Sequence, residues 1–75
     1  MLLPRDMLPT DSLYFVGGYV ISSLKENNNI KLLDLYLITK EKINVSISIF
    51  ILSLDWLFLI GVILENKQGN LEYVH

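Results

Sequence analysis

Asp55 is the only carboxylate inside the long apolar run Val45 to Leu64, VSISIFILSLDWLFLIGVIL. An apolar setting favours a protonated carboxyl, the form that a general acid needs. Acid–base chemistry also needs a second group within reach, and nucleophilic chemistry needs a base beside the nucleophile. The chain has no cysteine, and its one histidine is the terminal His75. The serines therefore have no candidate base, and a Cys/His zinc site is excluded. Gly17-Gly18 falls within a helical pattern and lacks the spacing and the following Lys-Ser/Thr of a phosphate loop. Trp56 and Phe58 could line a ligand cage, but aromatics at helical spacing more commonly fill a core or an interface. The residues thus point to no catalytic, cofactor-binding or metal-binding site. Asp55 is expected to hydrogen-bond locally or to pair with a lysine of a partner.

The elements that hold these residues must come from 75 residues, enough for one domain. Domains of this size bury a modest share of their surface and usually need a disulfide, a metal or a partner. Without the first two, a partner or a very efficient core is left, and a partner is expected. The composition agrees, since 52% hydrophobic residues and a mean hydropathy of +0.45 are high for a free-standing domain. Net charge is −2, and the six basic residues are scattered rather than gathered into the stripe of a nucleic-acid binder. The start, MLLPRDMLP, lacks the basic and apolar regions of a secretory signal. With the absence of cysteine, this fits a cytoplasmic protein.

Residues 1–9 read as an extended arm, because Pro4 and Pro9 restrict the residues before them. Thr10, Asp11 and Ser12 offer a cap for a first helix over about 11–25, with Leu13, Val16, Gly17, Val20 and Leu24 on its buried face. The two glycines there suit close approach of another backbone. Phe15 and Tyr19, four residues apart, should form an aromatic patch on the far side. Glu26–Asn29 is a polar loop, and a second helix follows over about 30–41. Asn44 or Ser46 can cap a third over about 45–60, which Gly61 should stop. Beyond it the period changes, and β-branched and aromatic residues flank an Asn/Gly turn, the signal of a hairpin over 62–74. Three helices followed by a C-terminal β-hairpin make an α+β fold, a small winged-helix-like domain over residues 10–75.

The third helix decides between functions. At 100° per residue its polar members form two strips, Ser46 with Ser53 and Asn44 with Ser48 and Asp55. Between them lie two apolar faces: Ile47, Phe50, Ile51, Leu54, Leu57 and Phe58 on one, and Val45, Ile49, Leu52, Trp56, Leu59 and Ile60 on the other. A surface helix of a free domain needs one such stripe. The second is read as a subunit interface, so the expected interface residues are Phe15, Tyr19, Val45, Ile49, Leu52, Trp56 and Leu59. A single-span membrane protein, toxin-like or part of a membrane complex, is the alternative. Asp55 near the bilayer centre would cost about 2.5–3.5 kcal/mol, and no basic cluster sets an orientation. A winged-helix DNA-binding regulator is less well supported, because the third helix has no Arg, Lys or Gln to read base edges.

Leu2-Leu3-Pro4, the first helix with Leu13 and Gly17, the stretch Leu52 to Ile63 and the turn Asn66–Asn70 before the last strand together resemble a known family. It comprises the small middle components of bacterial ABC-three-component systems. The resemblance covers nearly all of the chain and rests mainly on hydrophobic patterns. It implies a non-enzymatic adaptor or regulatory subunit with no cofactor. The partners implied are an SMC-like, Rad50-type ABC ATPase and an effector protein, often nuclease-like, in defence against phage or plasmids. Contact with nucleic acid would be indirect, through the complex, and no small-molecule substrate is implied.

Overall fold

The computed structural model describes residues 9–74, which form helices α1 (Pro9–Glu26), α2 (Leu32–Ile43) and α3 (Ile47–Leu59) and strands β1 (Ile63–Glu65) and β2 (Leu71–Tyr73). This is the expected order of three helices and an antiparallel hairpin, an α+β arrangement. The arm expected over residues 1–9 lies outside the described residues except for Pro9. That residue opens α1, where its missing N–H is not needed for the helix ladder. Thr10, Asp11 and Ser12 consequently belong to the first turn rather than preceding it.

Each helix buries a short stripe. Val16, Val20 and Leu24 of α1 and Leu35, Thr39 and Ile43 of α2 recur every fourth residue, so they share one side of each helix. Phe50, Ser53, Leu54 and Leu57 supply the inner side of α3. Two hydroxyls in these stripes are satisfied within their own helices. Thr39 Oγ1 donates to the Leu35 carbonyl at 2.8 Å, and Ser53 Oγ donates to the Ile49 carbonyl at 2.9 Å. Self-satisfaction removes most of the desolvation cost that an unpaired buried hydroxyl would carry. Helix α1 is the hub, packing on α2, α3 and β2.

The ends of α3 follow local chemistry. Ser46 caps it, its hydroxyl accepting from the Ile49 N–H at 3.3 Å. Asn44 instead ends α2 in the left-handed region (φ 49°), donating its N–H to the Lys40 carbonyl at 2.8 Å. The direction of the chain turns by 115° between α2 and α3. At the far end Gly61 (φ 77°) donates to the Phe58 carbonyl and Val62 to the Leu57 carbonyl, at 3.1 and 3.0 Å. That pair of bonds is a Schellman stop, and it requires a residue at ease at positive φ. Gly61 therefore divides the apolar run, as its periodicity implies.

The hairpin pairs Ile63 with Tyr73 and Glu65 with Leu71. Its turn carries a hydrogen bond from the Gly69 N–H to the Asn66 carbonyl, and Gly69 sits at φ 81°, the left-handed position that closes a three-residue loop. Buried Ile63 and Leu71 plug the hairpin into the helical core. Ile30 does not begin the second helix; it exchanges two backbone hydrogen bonds with Leu71, at 3.1 and 2.7 Å, an isolated antiparallel bridge on the edge of β2 away from β1.

Candidate protein-interaction surface

On the outer side of α3 lies a broad exposed apolar surface. In order around the helix it presents Leu52, Leu59, Ser48, Asp55, Ile51, Phe58 and Ile47, all exposed. Leu59 is 86% exposed and Leu52 50%. Ile60 and Leu64 extend the surface towards the hairpin, and Leu33 and Leu37 form a further exposed apolar pair on α2.

The phase of α3 differs from the expected one. Each of the two expected apolar faces is split: Phe50, Leu54 and Leu57 turn inward, while Ile47, Ile51 and Phe58 of the same face are exposed. Ser53, expected on a polar strip, is fully buried, whereas Asp55 stands at the middle of the exposed side. A hydroxyl can close on the carbonyl one turn back and go inside, but a carboxylate has no such option. Asp55 thus does not separate a core face from an interface face; it lies within the exposed one.

The seven expected interface residues are dispersed. Val45 is 1% exposed and belongs to the core, and its carbonyl accepts from the Tyr36 hydroxyl at 3.2 Å. It precedes the Ser46 cap, so the helical rotation that placed it on an outer face does not extend to it. Ile49 and Trp56 are half-buried against the core. Trp56 fills the seam between α1 and α3, its ring edge-on to Tyr14 with centroids 4.9 Å apart. Gly17 makes room for it, since a Cβ there would stand 2.9 Å from Trp56 Cζ3. The glycine pair therefore serves a side chain rather than another backbone, and only at Gly17. At Gly18 a Cβ would meet nothing within 4 Å.

Of the remaining residues, Leu52 and Leu59 are on the open α3 surface. Phe15 and Tyr19 meet on α1 with ring centroids 5.3 Å apart. With Gly18 and Ser22 they line a shallow hollow of about 280 Å³. A second hollow, of about 480 Å³, lies between the end of α1 and β2 and is lined by Leu24, Lys25, Asn28 and Tyr73. Lys25 Nζ sits 5.1 Å from the Tyr73 ring centroid there, a cation–π contact.

The asparagine-rich segments carry more than a loop composition indicates. Asn66 Oδ1 accepts from the Gln68 and Asn70 N–H groups at 2.9 and 3.0 Å. Its amide nitrogen donates to Asn29 Oδ1 at 2.6 Å and to Glu72 at 2.7 Å. Asn28 Oδ1 accepts from the Tyr73 N–H at 2.9 Å. These bonds clasp the α1–α2 connection to the hairpin. The signal in the sequence was the recurrence of Asn on both sides of the clasp, at Asn28-Asn29 and at Asn66 and Asn70, with Asn29 able to take the positive φ (64°) it shows.

Among the described residues no single helix is long and apolar enough to cross a membrane. The 13 residues of α3 span about 20 Å at 1.5 Å per residue, against about 30 Å of hydrocarbon. Helix α3 also carries no Arg, Lys, Asn or Gln. Asp55 has no hydrogen-bond or ion-pair partner among the described residues, so no acid–base pair is assembled around it.

A family model described as ABC-three component (ABC-3C) system Middle Component 6 matches residues 3–74. The chain belongs to that family of middle components in multi-protein systems. No curated protein and no solved structure matches it.

Proposed function

We propose that this chain is a non-enzymatic adaptor of winged-helix type, joining an SMC-like ABC ATPase to an effector protein in a cytoplasmic antiviral defence complex. The observation that carries the reading is the exposed apolar side of α3 in a member of a middle-component family. Exposed apolar patches rimmed by polar groups mark interaction sites on small domains. Joining two proteins requires two surfaces. The outward side of α3 is one, and the hollow at Phe15, Gly18, Tyr19 and Ser22 on α1 is offered as the second. The two surfaces lie on different helices, α1 and α3, which pack on each other. Leu52 and Leu59 stay in the interface, joined by Ile47, Ile51 and Phe58, while Phe15 and Tyr19 serve the second contact.

The winged-helix reading draws support from the 115° turn between α2 and α3, the hairpin that follows, and the Ile30–Leu71 bridge. The helix that would read a DNA groove has no side chain for base edges, so the same architecture serves protein contact. Co-expression with the products of the adjacent genes tests the proposal. The expected result is a stoichiometric complex containing this chain, an ABC ATPase and a third protein. Failure of the chain to co-purify with any neighbouring product, together with a dispersed stable monomer, would overturn it.

A further inference from the structure

The geometry of α3 points to a partner segment that is apolar except for one basic side chain, which seats on Asp55; this rests on the adaptor reading above. On a helix surface the neighbours of a residue stand three and four positions away. For Asp55 they are Ile51, Leu52, Phe58 and Leu59, and all four are large, apolar and exposed. A carboxylate on a solvated helix face gains from a lysine one turn away. Asp55 has none, and α3 contains no basic residue.

A cover that reaches Leu52 and Leu59 on one side and Ile51 and Phe58 on the other has to cross Asp55. Burying an ionised carboxylate without a counter-charge or donor is costly, so the covering segment brings a cation to that point. Arginine fits best, because its planar fork can engage the carboxylate while its flat face lies on the surrounding side chains. The arrangement also supplies specificity: apolar contact holds the partner, and the carboxylate penalises any apolar segment lacking the cation.

Two other occupants fit this face poorly. In a symmetric dimer centred here, Asp55 would meet its own symmetry mate, and like charges repel. A bilayer surface would accept the leucines but would have to desolvate the carboxylate, and helices at such surfaces carry Lys or Arg beside the apolar face.

The test measures binding of the purified chain to each adjacent-gene product by calorimetry, for wild type, Asp55→Glu, Asp55→Asn, Asp55→Lys and Leu59→Ser. Loss of one member of a desolvated charge pair predicts binding weaker by on the order of 30-fold for Asp55→Asn and 100-fold or more for Asp55→Lys. Asp55→Glu should stay within about threefold of wild type, because it keeps the charge. Changing a single Lys or Arg of the partner to Glu should restore binding to Asp55→Lys, a coupling that general destabilisation cannot produce. Since Asp55 is exposed, the variants should unfold like wild type. Tight wild-type binding that ignores Asp55→Asn and Asp55→Lys would overturn the proposal while leaving the adaptor reading intact. Wild type that binds no neighbour overturns the adaptor reading, and this proposal falls with it.

Discussion

The inner and outer sides of α3 are built from the same residue types and meet opposite fates. Phe50, Leu54 and Leu57 are no more than 2% exposed, whereas Leu59, two residues past Leu57, is 86% exposed. Hydrophobicity alone does not separate them. The supply of covering elements does: α1 and the hairpin lie against one side of α3, and no described element is left for the other. Helix α3 is apolar nearly all round, and the described residues leave much of that surface uncovered. Such surface is a liability in a free domain and useful in a complex.

The strongest way to break the contrast is to empty the inner side. Phe50→Ala removes a buried ring that packs on Tyr36 at 5.0 Å and should cost about 3–5 kcal/mol in urea unfolding. A smaller loss is expected at the α1–α3 seam. In Gly17→Ala the new methyl faces Trp56 Cζ3 at 2.9 Å, so the ring must move, at a cost of about 1–3 kcal/mol. Trp56 is the sole tryptophan, so its fluorescence should shift in this variant. Gly18→Ala is the matched control. Its methyl meets open space, and helix propensity should stabilise the chain by up to about 1 kcal/mol with no spectral shift.

Asn66→Ala tests whether polar bonds keep the hairpin cover in place over the inner side. Removing the side chain that serves Gln68, Asn70, Asn29 and Glu72 should cost about 1–2 kcal/mol and speed hydrogen exchange at the Gln68 and Asn70 amides. The least change in stability belongs to the outer side. Leu59→Ser should alter unfolding by no more than about 0.5 kcal/mol, yet weaken binding to the partner proposed for α3. A Leu59→Ser loss as large as that of Phe50→Ala would erase the distinction between the two sides.

Much of the fold was legible because its signals are local. Ser46 caps the residue three positions on, and the third helix ends at Leu59, one residue before its C-cap Ile60 and two before the Gly61 stop. The hairpin follows from β-branched strands around an Asn/Gly turn. The candidate surface was only partly legible. Leu52 and Leu59 are exposed, but Val45 is core and Trp56 is committed to the α1 seam. A helix with apolar residues on most sides has no strong preferred phase of its own. A spacing of 100° per residue defines the apolar faces of α3 but not which one its neighbours take.

Residues close in the chain settle what backbone geometry alone requires. Gly61 and Gly69 take positive φ, Asn44 ends α2 and Ser46 starts α3 whatever lies across the molecule. The tertiary structure decided what depends on distant partners. It joined Ile30 to Leu71, tied Asn29 to Asn66, and rotated α3 so that Ser53 went in and Asp55 stayed out. Those outcomes follow from burial, and burial is a property of the assembled elements: which side of a helix loses water depends on what arrives to cover it.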